Sequence, residues 1–404
     1  MAADVSALVL RIAADASSLK RELADAGNSV KGFESKVGKG LKSAGASMKR
    51  LGRSMSLYVT LPLVGGAAAS IKAFADFDKA MTQSTAIMSG VTSKLREEMA
   101  ETARQISLET PTSATKAAEA YFFLASAGLS AEESMRSLSH VNKFAIAGQF
   151  DMATATDLLT DAQSALGMAV GTTAMKTASL VRVPDVLVKA NTLANATVEQ
   201  FSTALTSKAG ASLRNFGKDI EEGVAVLTVF ADQGIKAELA GNNLDRVLRL
   251  MAQASSQNAK EFEKLGFSVF DSDGNFRNFA DIIENLELVL AGLSPEMKAI
   301  TLAQLGFDAR VQQAITPLIG FSQAIRDNEA ALRNSAGTTD DIVQNQMKAF
   351  STEMKALWNS ITDVARQIGE ILVPAVRWLA REVQATIDWF NTWDDSTKIV
   401  VVTI

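Results

Sequence analysis

From Phe77 to Gly337 the apolar positions recur every three or four residues, in stretches of roughly 12–18 residues that fit amphipathic helices. Most stretches open on a side chain able to cap a helix and close on a glycine. Ser130 with Glu133, Thr197 with Gln200 and Asp219 with Glu222 have the spacing of capping boxes. Asp151 opens a helix running through Leu158 and Leu159 to Gly167. Ser294-Pro295-Glu296 puts a proline at the first helical position, and Gly148, Gly234 and Gly306 are natural stops. Connections this short favour antiparallel neighbours, so this stretch predicts a helical bundle.

Beyond Gly337 the pattern changes to a heptad seam. Val343, Met347, Phe350, Met354, Leu357, Ile361, Val364, Ile368 and Ile371 fall at alternating gaps of four and three. Met347, Met354, Ile361 and Ile368 take the a positions, and the other five take d. The flanks carry Gln344, Gln346, Ser351, Ser360, Ala365 and Gln367, with Glu353 the one charge, while Trp358 and Leu372 widen the apolar stripe. Flanks this poor in charge suit three or more helices better than a two-stranded coil. Four heptads drift only about 80° around an ideal helix, so an ordinary packed helix fits the same spacing. The expected helix runs from about Asp340 to Thr392, roughly 80 Å, and Pro374 is a candidate kink.

Three segments depart from helical grammar. Phe267 to Phe279 alternates apolar residues around Asp271-Ser272-Asp273-Gly274-Asn275, which predicts a short β-hairpin. The acids there do not make a calcium loop: counting from Asp271, Phe276 and Ile282 occupy the positions that need glycine and glutamate. Ser54 to Ile71 is an uncharged run of 18 residues, at the lower edge of a membrane span. Pro62, Gly65, Gly66 and its hydroxyls suit a buried or lipid-interfacial segment better. Near the start, Val5, Ala7 and Val9 alternate with Leu8, Leu10 and Ile12, which permits a short strand, and no basic region precedes them as in a secretory signal. The chain stops at KIVVVTI as a new apolar run opens, which reads as a fragment of a longer protein or a truncated product.

Composition narrows the chemistry. The chain has 404 residues, 47% of them hydrophobic, with six prolines and 6% aromatic residues, which favours an all-α chain with ample cores. It has no cysteine and a single histidine, His140, so it offers no disulfide, no thiol nucleophile and no motif needing two histidines. His140 lies mid-helix in SMRSLSHVNKF and reads as a surface or boundary residue. GxSxG, HExxH, the phosphate-binding glycine loop and GxGxxG after a strand are all missing, and Ser17-x-x-Lys20 has no companion motif. Acid pairs such as Glu221 with Glu222 and Asp340 with Asp341 sit at helix starts, where the macrodipole explains them. The chain is therefore expected not to be an enzyme and to carry no metal or cofactor.

Charge is unevenly spread. Between Lys31 and Arg53 seven bases face one acid, a balance of +6 that leaves −11 for the rest of a chain whose net charge is −5. Lys36, Lys39, Lys42, Lys49, Arg50 and Arg53 make the candidate arm for an anionic partner, whether an acidic protein wall, lipid headgroups or nucleic acid. No aromatic residues interleave the bases, which gives DNA stacking little support.

Three stretches resemble the core of tail tape measure proteins of long-tailed bacteriophages and prophages. They are Ala103 to Met168 (ARQISLETPTSATKAAEAYFFLASAGLS and onward), Ala196 to Leu248 (ATVEQFSTALTSKAGASLRNFGKDIEEG and onward) and Lys264 to Ile319 (KLGFSVFDSDGNFRNFADIIENLE and onward). The likeness covers roughly 77–319 and extends loosely into the basic arm. Gly171 to Asp185 fits less well, and Val183-Pro184 predicts a break in the helix there. The resemblance implies a structural protein of the virion, made in the host cytoplasm and seated in the tail tube lumen. There it would set tail length by templating tube polymerisation and leave ahead of the DNA. It implies as partners the major tail tube protein, tail-tip or baseplate proteins, tail assembly chaperones and further copies of the chain, three or more, with host membrane contact during delivery.

Together these readings predict an elongated all-α bundle with one β-hairpin near 267–279 and a long C-terminal coiled-coil-like helix. The expected domains are a basic arm and apolar segment (1–76), a central core (77–337) and the heptad helix with the start of an apolar run (338–404). The competing reading is a membrane-active helical protein, a pore former or translocator built on Ser54 to Ile71 and the run from Ile399.

Overall fold

The computed structural model describes residues 62–391. The basic arm Lys36 to Arg53, the alternation near Val5, Ser17-x-x-Lys20, residues 54–61 of the uncharged run and the run from Ile399 lie outside them. By its contacts the chain divides into two compact units, Met1–Lys79 with Leu357–Ile404, and Ala80–Ala356.

The described residues are helical almost throughout. α1 is Pro62–Ala86, α2 Ser93–Glu109, α3 Ala114–Ser126, α4 Ala131–Gly148, α5 Met152–Ala165 and α6 Thr173–Leu193. α7 (Val198–Ala204) passes through a π turn, Leu205–Ala209, into α8 (Gly210–Asn215). Then follow α9 (Ile220–Asp232), α10 (Ala237–Gln257), α11 (Ala259–Leu265), α12 (Phe279–Val289) and α13 (Pro295–Gln304). The last four are α14 (Ala309–Ile315), α15 (Ser322–Arg333), α16 (Thr338–Met347) and α17 (Phe350–Asn391).

Local chemistry sets most helix starts in the larger unit. Ser130 and Thr197 form full capping boxes with Glu133 and Gln200. Asp151 accepts from Thr154 N, and Ser294 accepts from Met297 N with Pro295 at the first position. The third expected box is only half made. Asp219 accepts from Glu222 N, but the Glu222 carboxylate turns away to accept from Phe279 N, 57 residues on, at 2.6 Å.

α9 is the hub. Every residue from Ile220 to Ala231 is buried, Glu221, Glu222 and Thr228 included, so the helix is covered on all sides. It packs against α6, α10 and α15, while α2 to α6 pack on one another beside it. Tyr121, Phe144, Phe201, Phe230, Phe279 and Phe307 are the largest fully buried side chains. Each contributes about 1.5–3 kcal/mol by leaving water. α10 crosses the π turn so closely that a Cβ on Gly241 would overlap the Ala204 carbonyl oxygen.

Two expectations for this unit are corrected. α6 runs unbroken through Pro184. Its flanking Leu180, Val183, Val186, Leu187 and Val188 are at most 1% exposed, and this packing outweighs the donor that proline removes. The hairpin near 267–279 is reduced to one antiparallel bridge, Phe270 to Phe276, and no strand forms among the described residues. The Asp271 carboxylate gathers the Asp273 and Asn275 amides at 2.9 and 2.8 Å, beside backbone bonds from Asp271 N to Asn275 O and from Arg277 N to Val269 O, both 2.9 Å, so the side chain and two cross-turn bonds hold the turn together.

Candidate functional site, the two faces of the C-terminal helix

The predicted seam does not lie on one helix. α16 ends at Met347, its last turn tightened by bonds from Lys348 N to Asn345 O and from Ala349 N to Gln346 O. Ala349 O then accepts from Thr352 N and Glu353 N to start α17. The expected helix from Asp340 is thus divided at Lys348-Ala349, and α17, at 42 residues, is about 63 Å long and passes through Pro374.

The nine seam residues divide with it. Val343 is buried on α16 in the larger unit and Met347 is half-buried, while Phe350 is the first residue of α17. On α17, Met354, Leu357, Ile361 and Ile371 are exposed, and Val364 and Ile368 are half-buried. Trp358 is 67% exposed. From Leu357 to Ile371 the apolar stripe faces outward.

What α17 buries is polar. Asn359, Asp363 and Gly369 are buried, and Arg366 retains 12% of its side-chain exposure. Asn359 and Arg366 both take the f position of the heptad, ordinarily the outermost. Arg366 bonds Asp363 at 3.1 Å and lies 4.9 Å over the Phe77 ring of α1. Gln367 donates to the other Asp363 oxygen at 2.8 Å. A Cβ on Gly369 would overlap the Ser70 carbonyl oxygen, so glycine alone admits α1 at this distance. Ser70 lies against Gly369 and Phe77 against Arg366, so the helices run in opposite senses. At about 100° per residue, Ile368 lies roughly 140° around the helix from Asp363. The polar stripe and the apolar stripe are on opposite sides.

In the larger unit the acid pair at 221–222 does more than meet a helix dipole. Glu221 bonds Arg182 of α6 in a fork and raises its pKa through that hydrogen bond. Burial pushes the Glu222 carboxyl up, against the pull of Lys218 at 3.2 Å. Arg333 bonds Asp219 at 2.8 Å and Glu329 at 2.7 Å; burial works to lower its pKa, but those bonds leave it raised. Asn278 donates to Glu329 at 2.8 Å. The knot ties α6, α9, α12 and α15 together.

Asp185 is the residue that sequence reading passed over. Buried on α6 one position after Pro184, it accepts from Gly337 N at 2.8 Å and Thr339 N at 2.9 Å. It thereby caps α16, which has no side-chain cap of its own. Asp340, in the first turn of α16, pairs with Lys143 at 2.8 Å. His140 is half-buried on α4, and burial followed by the Lys143 charge lowers its pKa. Among the described residues no cluster of metal-ligating side chains forms, and no helix is long and apolar enough to cross a membrane. The membrane-active reading therefore finds no spanning helix among them. A cavity of about 110 Å³ is lined by Glu133, Ser137, Thr160, Gln163 and Lys176, whose polar groups largely satisfy one another.

Residues 100–306, just over half of the chain, match the model of the phage-related minor tail protein family. The chain belongs to that family. A tape measure protein of Pneumococcus phage Dp-1 is 26% identical to this phage tail protein over 359 residues. The alignment covers 89% of the chain and 30% of that relative, so the chain spans under a third of the relative's length. No solved structure matches the chain. The family match falls inside the segment that resembles tape measure proteins, and that resemblance is borne out.

Proposed function

We propose that this tail protein acts as a tape measure. It would sit in the tail tube lumen as a bundle of three or more copies, set tail length by templating tube polymerisation and leave ahead of the DNA. The observation that carries this reading is the outward apolar stripe of α17, with flanks nearly free of charge, on a chain of the phage minor tail family. Such a stripe needs cover, and helices of other copies supply it without bringing like charges together. The major tail tube protein, tail-tip or baseplate proteins and assembly chaperones are the proposed partners. The larger unit serves as a folded core, and α17 as the measuring element.

An in-frame deletion of four heptads of the seam in the intact gene tests the ruler. It removes 28 residues, so tails in electron micrographs should shorten by about 42 Å. Unchanged length would remove α17 from the measuring role. The basic arm, Lys36 to Arg53, is proposed to meet an acidic lumen wall or the host envelope. Reversing Lys36, Lys39, Lys42, Lys49 and Arg50 should impair tube assembly or DNA delivery, and normal tails with normal delivery would end that proposal.

A further inference from the structure

α17 meets α1 through the side that a coiled coil normally gives to solvent, and offers solvent the side that a coiled coil normally hides. The inner contact is specific: Gly369 admits the Ser70 backbone, and Arg366, charge-paired with Asp363, stacks on Phe77. The outer stripe repeats every seven residues through Leu357, Ile361, Val364, Ile368 and Ile371. Its flanks, Trp358, Ser360, Ala365, Gln367 and Leu372, carry no charge. In a parallel, in-register coil each e flank meets a neighbour's g flank, and here neither side carries a charge, so no charge is covered without a partner.

From this we infer a nested assembly, in which α17 helices of several copies run parallel and in register at the centre and each keeps its own α1 on the outside. The inference rests on the proposed self-association and adds which face is shared and where α1 lies. In this arrangement α1 does not compete for the seam. It covers the polar stripe and leaves the apolar one open to another copy. Lys72, with 75% of its side chain exposed and about 200° around α1 from Ser70, would be on the rim of the assembly.

The chain has no cysteine, so one introduced thiol reports one position. Full-length Ile361→Cys and Lys72→Cys chains, oxidised under mild conditions, form the first test. Disulfide-linked dimers are expected from Ile361→Cys and not from Lys72→Cys. Linking through Lys72→Cys with none through Ile361→Cys would place α1 in the seam and overturn the nesting, while self-association survives. A monomer in analytical ultracentrifugation at about 10 μM, a concentration at which a standard specific interface associates, would overturn both.

Two disrupting variants of the full chain separate the faces. Ile361→Asp should reduce the mass to that of the monomer and leave amide exchange at residues 70–79 unchanged. Gly369→Leu should speed exchange at 70–79 by at least tenfold and leave the oligomer mass intact. If Gly369→Leu dissolved the oligomer while circular dichroism showed the larger unit folded, α1 would be part of the seam and the nesting would be wrong.

Discussion

Replacing Asp185 tests whether a side chain on α6 holds α16 in place. The carboxylate makes two charge-assisted bonds, to Gly337 N and Thr339 N, from a site only 4% exposed. Asp185→Ala removes both acceptors and leaves two amides at a helix start without partners. Charged hydrogen bonds contribute about 1.5–3 kcal/mol each, and a lost cap alone about 1 kcal/mol, so about 3 kcal/mol is a fair expectation. The larger unit, Ala80–Ala356, has 277 residues. At about 2.1 cal/mol/K per residue its unfolding entropy is roughly 0.58 kcal/mol/K, so the melting temperature should fall by about 5 °C. Asp185→Asn should lose nearly as much, because its amide nitrogen would face an N–H donor while its volume hardly changes. Calorimetry gives the shift, and hydrogen exchange at residues 338–343 should rise in both variants. A shift under about 1 °C with unchanged exchange would show that α16 is held by packing alone.

Two further perturbations probe the same unit. Gly241→Ala would drive a methyl into the Ala204 carbonyl and the Ser207 hydroxyl, and should destabilise by about 2–3 kcal/mol in a denaturant titration. Glu222→Gln tests the buried acid through pH. The folded-state pKa of Glu222 is raised, so the folded chain holds this proton more tightly than the unfolded chain, and stability is lost as pH rises from about 4.5 through that raised value. The variant carries no such loss, so its melting temperature relative to wild type should climb between about pH 4.5 and pH 7, and a flat difference would refute the assignment.

Helix starts were legible because their chemistry is local. Ser130 and Glu133, or Thr197 and Gln200, are three residues apart and complete one another without outside help. Glu222 has the same spacing from Asp219, yet a donor 57 residues away took its carboxylate, and no local pattern carries that information. Asp185 is the sharper case. Following a proline it read as part of a break, because the groups that explain it are more than 150 residues downstream. The hairpin was overread: Asp271 can close its own turn, and the alternating phenylalanines went into packing, with Phe276 against Phe216 and Phe267 against Phe307.

At the candidate site the periodicity told which residues share a side, not which side points inward. Nothing in a heptad says that Asn359, Asp363 and Arg366 are the covered face, since burying a charge succeeds only where a partner such as Asp363 and a ring such as Phe77 wait for it. The break at Lys348-Ala349 has neither glycine nor proline to announce it. Its signal is the tightened turn at the end of α16, a helix packed against α4 and α6.

The bond from Asp185 to the start of α16 also imposes a timetable. Gly337 is synthesised 152 residues after its acceptor, which at 5–20 residues per second is roughly 8 to 30 s. Through that interval the carboxylate on α6 has no native donors, and the groove that α16 will fill stands open. Every copy on the ribosome therefore passes through a half-made core whose last helix arrives late. That is the interval in which the unfilled groove of the larger unit is most open to wrong contacts.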